Sequence, residues 1–421
     1  MRSSLIAAGV AAALGVGAAH TQAAPSDLDA LSIADEARLE PAQASSWRAF
    51  VEGGALDAWD RSLARAEDGA RVSLDAHYEG ALAPGFRFIF GDRLDLEELG
   101  PPSVRSSINT LKEAYVSWQV NPDESIDVGR INLRFGVATG YNPTDFFRAD
   151  AIRSIVSIDP SSLRENRQGS VVVESQTLWE GSSFLALVSP RLATTPDTAN
   201  FSADLGATNR SERWLLAASH QFTNDLNPQI LLYGKEGSAP ETGLNVSSLV
   251  NHSTVAFLEW AGGRAPTLVA QALGETGPQA YRNRASLGIT YTTEFNLSVT
   301  LEHEQNSAGL DQSTLARVSA YSPLALLGFL EFTQQEQDLP TRRAEFVYAS
   351  WQDCGIKHLD LSGFVRFDPI SHGRTTWLET RYHFDQADLA LQWQMETGRP
   401  QSVFGAIPTE REIQILLRWF L

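Results

Sequence analysis

The chain ends in EIQILLRWFL, residues 412–421. In an extended strand successive side chains point to opposite faces. Ile413, Ile415, Leu417, Trp419 and Leu421 therefore share one side, while Gln414 and Arg418 occupy the other. An apolar face that runs unbroken to the last residue is suited to an apolar surround, with water on the opposite side.

The other end supplies independent support. Arg2 and the amino group precede an Ala-rich apolar run from Leu5 to Ala19, followed by Thr21-Gln22-Ala23. Residues 1–23 read as a cleaved secretory signal. No later segment offers the roughly 20 consecutive apolar residues of a membrane helix, so any crossing must be made by strands. A mean hydropathy of -0.18 fits a water-soluble chain and an alternating barrel equally well. The single cysteine, Cys354, excludes an internal disulfide. A net charge of -18 argues against nucleic acid as a partner, because phosphate contacts need clustered Lys and Arg.

Residues 24–45 lack strand alternation and read as a periplasmic segment with one weak helix over Asp27 to Leu39, acting as a tether, a plug or a docking arm. From residue 46 to 421 alternation dominates, with about 20 strand-like segments and 18 as the competing count. These include Val250 to Ala261, Thr267 to Gly274, Thr314 to Ser322 and Ala325 to Thr333, with Lys235 to Leu249 read as a loop. The connections alternate between short Gly/Pro/Asn/Asp turns and longer loops. The expected fold is all-β: a transmembrane antiparallel up-and-down barrel of about 18–20 strands with short periplasmic turns and long external loops.

Alternation also assigns faces. Ala285, Leu287, Ile289 and Tyr291 oppose Arg282, Arg284, Ser286 and Thr290; Ile131, Leu133 and Phe135 are expected outward, with Arg130, Asn132 and Arg134 inward. Trp47, Trp118, Trp179, Trp214, Trp260, Trp351, Trp377 and Trp419 suit aromatic girdles. The lumen would hold the charges Arg87, Arg282, Arg284, Arg366, Arg381, Glu302 and Glu379, together with Glu345, Glu304 and Arg418. Structural ion pairs take the larger share of these, and a field acting on a solute the smaller.

The longest connection is GVATGYNPTDFFRADAIRSIVSIDPSSLRENRQ, residues 136–168. Phe146, Phe147, Ile152, Ile155, Val156 and Ile158 need cover that an external loop cannot give. Asn142-Pro143-Thr144-Asp145 and Asp159-Pro160 each look like a helix start. Two short helical turns folding into the barrel mouth are expected. Candidate constriction residues are Arg130, Arg134, Asp145, Arg148, Asp150, Arg153, Arg164, Glu165 and Arg167.

The closing strand resembles that of bacterial outer-membrane β-barrels, departing from them in ending on Leu421, with Phe420 just before it. GRINLRFGVATGYNPTDFF, residues 129–147, resembles a segment of porin-like and alginate-export-like proteobacterial outer-membrane proteins. The resemblance implies an outer-membrane channel in a Gram-negative bacterium, with lipid around it and residues 412–421 offered to the outer-membrane insertion machinery. It names no substrate.

No G-x-S-x-G, H-E-x-x-H, P-loop or CxxC pattern is present, so no catalytic residue, metal or cofactor is assigned and the chain is not read as an enzyme. His77, His358 and His383 fall on lumen parity, but their separation in sequence gives no ligand set. The expected function is a channel for a hydrated solute, or for a polysaccharide, narrowed by residues 136–168. The alternative is a plugged, non-conducting barrel that serves an export machine.

Overall fold

The computed structural model describes residues 46–61, 65–99, 107–275 and 277–421; the signal and the 24–45 segment lie outside them. Its strands are β1 (Ser46–Asp60), β2 (Arg65–Ala83), β3 (Phe86–Leu99), β4 (Ser107–Asn121), β5 (Glu124–Ile131), β6 (Ser170–Trp179), β7 (Ser182–Ser189), β8 (Arg213–His220) and β9 (Gln229–Lys235). They continue with β10 (Glu241–Asn251), β11 (Thr254–Ala265), β12 (Ala280–Thr292), β13 (Leu297–Asn306), β14 (Arg343–Trp351), β15 (Leu359–Asp368), β16 (Gly373–His383), β17 (Ala387–Thr397) and β18 (Thr409–Phe420). All 18 form one sheet, each paired antiparallel with its chain neighbours, and β18 pairs with β1 to close the barrel. Closure removes both sheet edges, so no row of backbone N–H and C=O groups is left unpaired.

The C-terminal strand has the expected faces. Ile413, Ile415, Leu417 and Trp419 are 46%, 53%, 51% and 50% exposed, whereas Gln414 and Leu416 are 4% and 2% exposed toward the interior. Outward apolar residues of this kind circle the barrel, forming a patch far larger than a water-soluble monomer tolerates.

Three expected strands are helices. Thr267 to Gly274 holds α3 (Leu268–Ala272), and Thr314 to Ser322 and Ala325 to Thr333 hold α4 (Gln312–Tyr321) and α5 (Pro323–Gln335). Two further short helices are α1 (Pro160–Glu165) and α2 (Leu205–Thr208). Capping decides the three cases: Thr267, Asp311 and Ser322 each accept a hydrogen bond from a first-turn amide, and Pro323 fills the first position of α5. Leu326 and Phe329 of α5 bury against Leu268, Leu310 and Leu315, and the Leu and Ala of this stretch are good helix formers. Conversely, Glu241–Asn251 is a strand, missed because Thr242 and Ser248 interrupt the outward row of Leu244, Val246 and Val250. With these corrections successive connections fall alternately on a turn rim and a loop rim, and the longest of them, 132–169, 190–212 and 307–342, all lie on the loop rim.

The amide of Thr314 and the hydroxyl of Ser313 hold the half-buried Asp311 carboxyl low, at about 2. A depressed folded-state value means the cap acts above the ordinary carboxylate range and is lost as pH falls through about 2. Hydrogen exchange at the Thr314 amide is expected to accelerate across that window and to be pH-insensitive above it, after correction for intrinsic chemistry. A flat corrected profile down to pH 2 would contradict the cap.

Candidate functional site

After β5 the chain leaves the sheet and enters the lumen. β5 keeps its alternation through Gly129, with Val128 outward and Ile131 inward, and stops at Ile131. Ile131, Leu133 and Phe135, expected outward, instead join Phe146 and Phe147 in an interior apolar cluster. Their partners are the inward residues Val172, Leu187, Leu215, Leu231 and Tyr233 of β6 to β9, so this side of the inner wall is dry where the sequence suggested polar residues. Phe146 stacks on Tyr233 at 4.6 Å and Phe147 meets the same ring edge-on at 5.9 Å.

Two buried carboxylates on the facing strands gather the loop backbone. Glu259 of β11 accepts from the amides of Val137 (2.9 Å), Ala138 (3.1 Å) and Thr144 (2.8 Å) and from the Thr144 hydroxyl (2.8 Å). Glu302 of β13 accepts from the amides of Thr139 (3.1 Å), Gly140 (3.1 Å) and Tyr141 (3.0 Å). These bonds lie in a site where the two carboxyl side chains are 0% and 4% exposed. Close approach needs glycine: a Cβ on Gly136 would stand 2.6 Å from both Glu259 oxygens, and its φ is 102°.

This wrapping explains why only one expected helical turn forms. Asp159 caps α1, with Pro160 in its first turn. At Asn142 the amides curl around Glu259, and Arg148 takes the carbonyls of Asn142 and Asp145 that a helix would have used.

The loop is bolted at its far side to the segment following α5. Arg148 pairs with Asp338 (3.3 Å), the Asp150 amide donates to the Gln335 carbonyl (2.8 Å), and Arg210 bridges Asp150 (2.6 Å) and Glu336 (3.6 Å). Burial pushes the carboxyls of Asp150 and Glu336 up from their ordinary range. Tyr141 donates to Asp338 as well.

Six of the nine candidate constriction residues are thus structural. Arg130 donates to the Ala203 carbonyl and to Gln168; Arg167 pairs with Asp145 at 2.9 Å, both buried; Arg153 holds the carbonyls of Ala199 and Ser202; Arg148 and Asp150 make the bolt. Arg134 and Glu165 are exposed and Arg164 is half-buried, donating to the Phe135 carbonyl at 3.2 Å. Arg164 also borders a cavity of about 220 Å³ between the loop and the α5 segment, with Tyr141, Ile158, Phe346 and Arg366.

The expected lumen charges are likewise bonded. Arg87 pairs with Glu79 (2.7 Å), Arg366 with Glu304 (3.0 Å), Arg381 with Glu379 (2.8 Å) and Asp388 (3.5 Å), and Arg284 with Glu241 and Asp338; Arg282 donates to the Ser307 carbonyl. Two readings are corrected. Glu345 faces outward, paired with His303 at 2.9 Å, and Trp377 is buried inside against Phe364 instead of joining a girdle.

The wall of β18 and β1 to β4, next to the dry one, carries a network the sequence did not reveal. Arg93 of β3, 1% exposed, reaches Asp95 (2.9 Å), Glu52 (3.1 Å) and Asp75 (3.7 Å). Arg418 (2.9 Å) and Arg71 (3.6 Å) also converge on Glu52, and Lys112 on Asp75 (2.6 Å). Its other members lie on the consecutive strands β1 to β4, and closure of the barrel adds Arg418 of β18 to them.

No protein-family model matches the sequence, and no curated protein matches it. Solved structures do match in fold. Acinetobacter baumannii OccAB1 aligns with TM-score 0.58 at 12% identity, covering 90% of this chain and 98% of that one. Pseudomonas aeruginosa OccK5 (OpdH) gives 0.57 at 10%, covering 90% and 98%. The outer membrane protein opdK from Pseudomonas aeruginosa gives 0.53 at 8%, covering 89% and 99%. At these identities the likeness is one of architecture: the chain shares the closed antiparallel barrel fold of these proteins along almost their whole length.

Proposed function

We propose that this chain is an outer-membrane channel of a Gram-negative bacterium, passing a small hydrated solute through a lumen narrowed by the loop between β5 and β6. The observation that carries the reading is the loop's anchorage inside the barrel, on carboxylates of β11 and β13 and on the apolar wall of β6 to β9. A lid resting on the rim would need none of these bonds. The shared fold with the outer membrane protein opdK supports the location, and the apolar outward belt gives the physical reason for it.

In this reading Arg134, Arg164 and Glu165, the candidate charges that keep solvent contact, act on the permeating solute. Planar-bilayer recording of the refolded protein is expected to show discrete conductance steps. Arg134→Glu with Arg164→Glu is expected to shift the anion-to-cation permeability ratio roughly tenfold toward cations. Silence from the intact protein, with conductance only after removal of residues 136–168, would replace the channel by the plugged barrel. Silence from both would end the channel reading.

A further inference from the structure

The two rims turn different side chains outward. At the turn rim the outward positions carry Trp47, Trp118, Trp179, Phe184, Trp351 and Trp419. At the loop rim β14, β16 and β18 carry Arg343, Arg374 and Arg411, all exposed. Their parity is fixed by strand neighbours on the same face, Val347, Leu378 and Ile413, which are 42%, 50% and 46% exposed.

The three strands repeat one spacing. Each arginine stands eight residues from an outward aromatic at the turn rim: Trp351, Tyr382 and Trp419 respectively. Eight residues of strand span about 26 Å, or about 20 Å of height at the usual barrel tilt. The arginines and aromatics therefore mark the two edges of one apolar belt, with the long Arg stems reaching past its upper edge.

Among the described residues Arg343 and Arg374 have no ion-pair partner, and Arg411 lies over the Trp59 ring at 5.4 Å. Two acids share this face with the row: Glu345 is held by His303, and Asp57 of β1 stands one diagonal step from Arg411 without an ion pair to it. In a chain of net charge -18, an outward row of three guanidinium groups without ion-pair bonds among the described residues can take an anion from outside the protein.

Strand spacing narrows the choice. Alternate strands lie about 10 Å apart, so the row spans about 20 Å. A headgroup with one phosphate meets one arginine, whereas one with phosphates at both ends of a sugar pair meets two at once. Guanidinium binds phosphate through paired, parallel hydrogen bonds. We propose that the loop-rim face of β14 to β18 binds a bisphosphorylated glycolipid, which seats this rim in the phosphate-rich leaflet. This rests on the outer-membrane reading above but not on the channel being open.

The test is native mass spectrometry of the full protein in detergent, titrated with bisphosphoryl lipid A, monophosphoryl lipid A and phosphatidylglycerol. Bisphosphoryl lipid A is expected to bind about fivefold or more tightly than either other lipid. Arg343→Gln, Arg374→Gln and Arg411→Gln together are expected to cost on the order of 100-fold and to erase the preference. Arg264→Gln, outward on β11 and away from the row, is expected to change nothing. Equal binding of all three lipids by the wild type, or wild-type affinity in the triple variant, overturns the proposal; the wild-type lipid series decides even where the triple variant does not fold. None of the three arginines faces the lumen, so single-channel conductance of the triple variant is expected to match the wild type. Failure of lipid binding and failure of the channel reading are thereby read separately.

Discussion

Replacing Glu259 and Glu302 together with alanine is expected to free the β5–β6 loop and raise single-channel conductance on the order of fivefold, with the barrel still folded. Six loop amides donate to these two carboxylates. A buried donor left without a partner costs roughly 1–3 kcal/mol, so six cannot remain dry. The contacts of Phe146 and Phe147 with Tyr233 and the bolt through Arg148 and Asp150 still hold the second half of the loop, and the segment from Val137 to Gly140 is expected to move into water. The barrel keeps its strand pairing, because neither substitution touches a backbone bond of the sheet. Conductance recording combined with limited proteolysis after residue 136 checks both halves. Unchanged conductance together with an uncut loop would show that the apolar wall alone holds it. Glutamine at both positions retains one acceptor oxygen each and is expected to fall between the two extremes.

Arg93→Met is expected to destabilise the barrel by about 3–5 kcal/mol, the usual cost of stranding buried charges by removing their partner. Three carboxylates, on Glu52, Asp75 and Asp95, converge on this one guanidinium. Arg418, Arg71 and Lys112 would still reach Glu52 and Asp75, but Asp95 keeps only the Ser73 hydroxyl at 2.5 Å. Arg93→Lys is expected to recover little, since a point ammonium cannot reproduce a planar fork with bonds in three directions. Equilibrium urea unfolding in vesicles, followed by the mobility difference between heated and unheated samples, measures the shift. A change below about 1 kcal/mol would mean that water or strand movement already screens the cluster.

Period-two patterns carried the architecture because a strand between lipid and water is amphipathic by necessity, as in β12, β17 and β18. They failed where another rule took over. The α4–α5 hairpin is apolar enough to imitate strands, and only Asp311, Ser322 and Pro323, read as caps, distinguish it. β10 has little contrast between its faces. The loop's entry into the lumen was legible from its uncovered Phe and Ile residues. Its anchors were not: Glu259 is a lone acid between Leu258 and Trp260, and Asp338 lay in a segment taken for an external loop. Arg134, Arg164 and Glu165 were found from the sequence, but nothing there separates them from Arg167 or Arg148, because burial is decided by partners elsewhere in the chain.

Glu52 sits on the first strand and Arg418 on the last, and their bond closes the seam 366 positions apart. During biogenesis the acid on β1 is made long before its cation on β18. Until that final segment arrives, the hem of the cylinder has a charged stitch with nothing to tie to. Joining such distant partners costs little more at equilibrium than joining nearer ones, since closure entropy grows only logarithmically, but it delays the event in time. A barrel stalled before its terminal strand docks would therefore gape along this one line, with a bare carboxylate marking where it failed to knit.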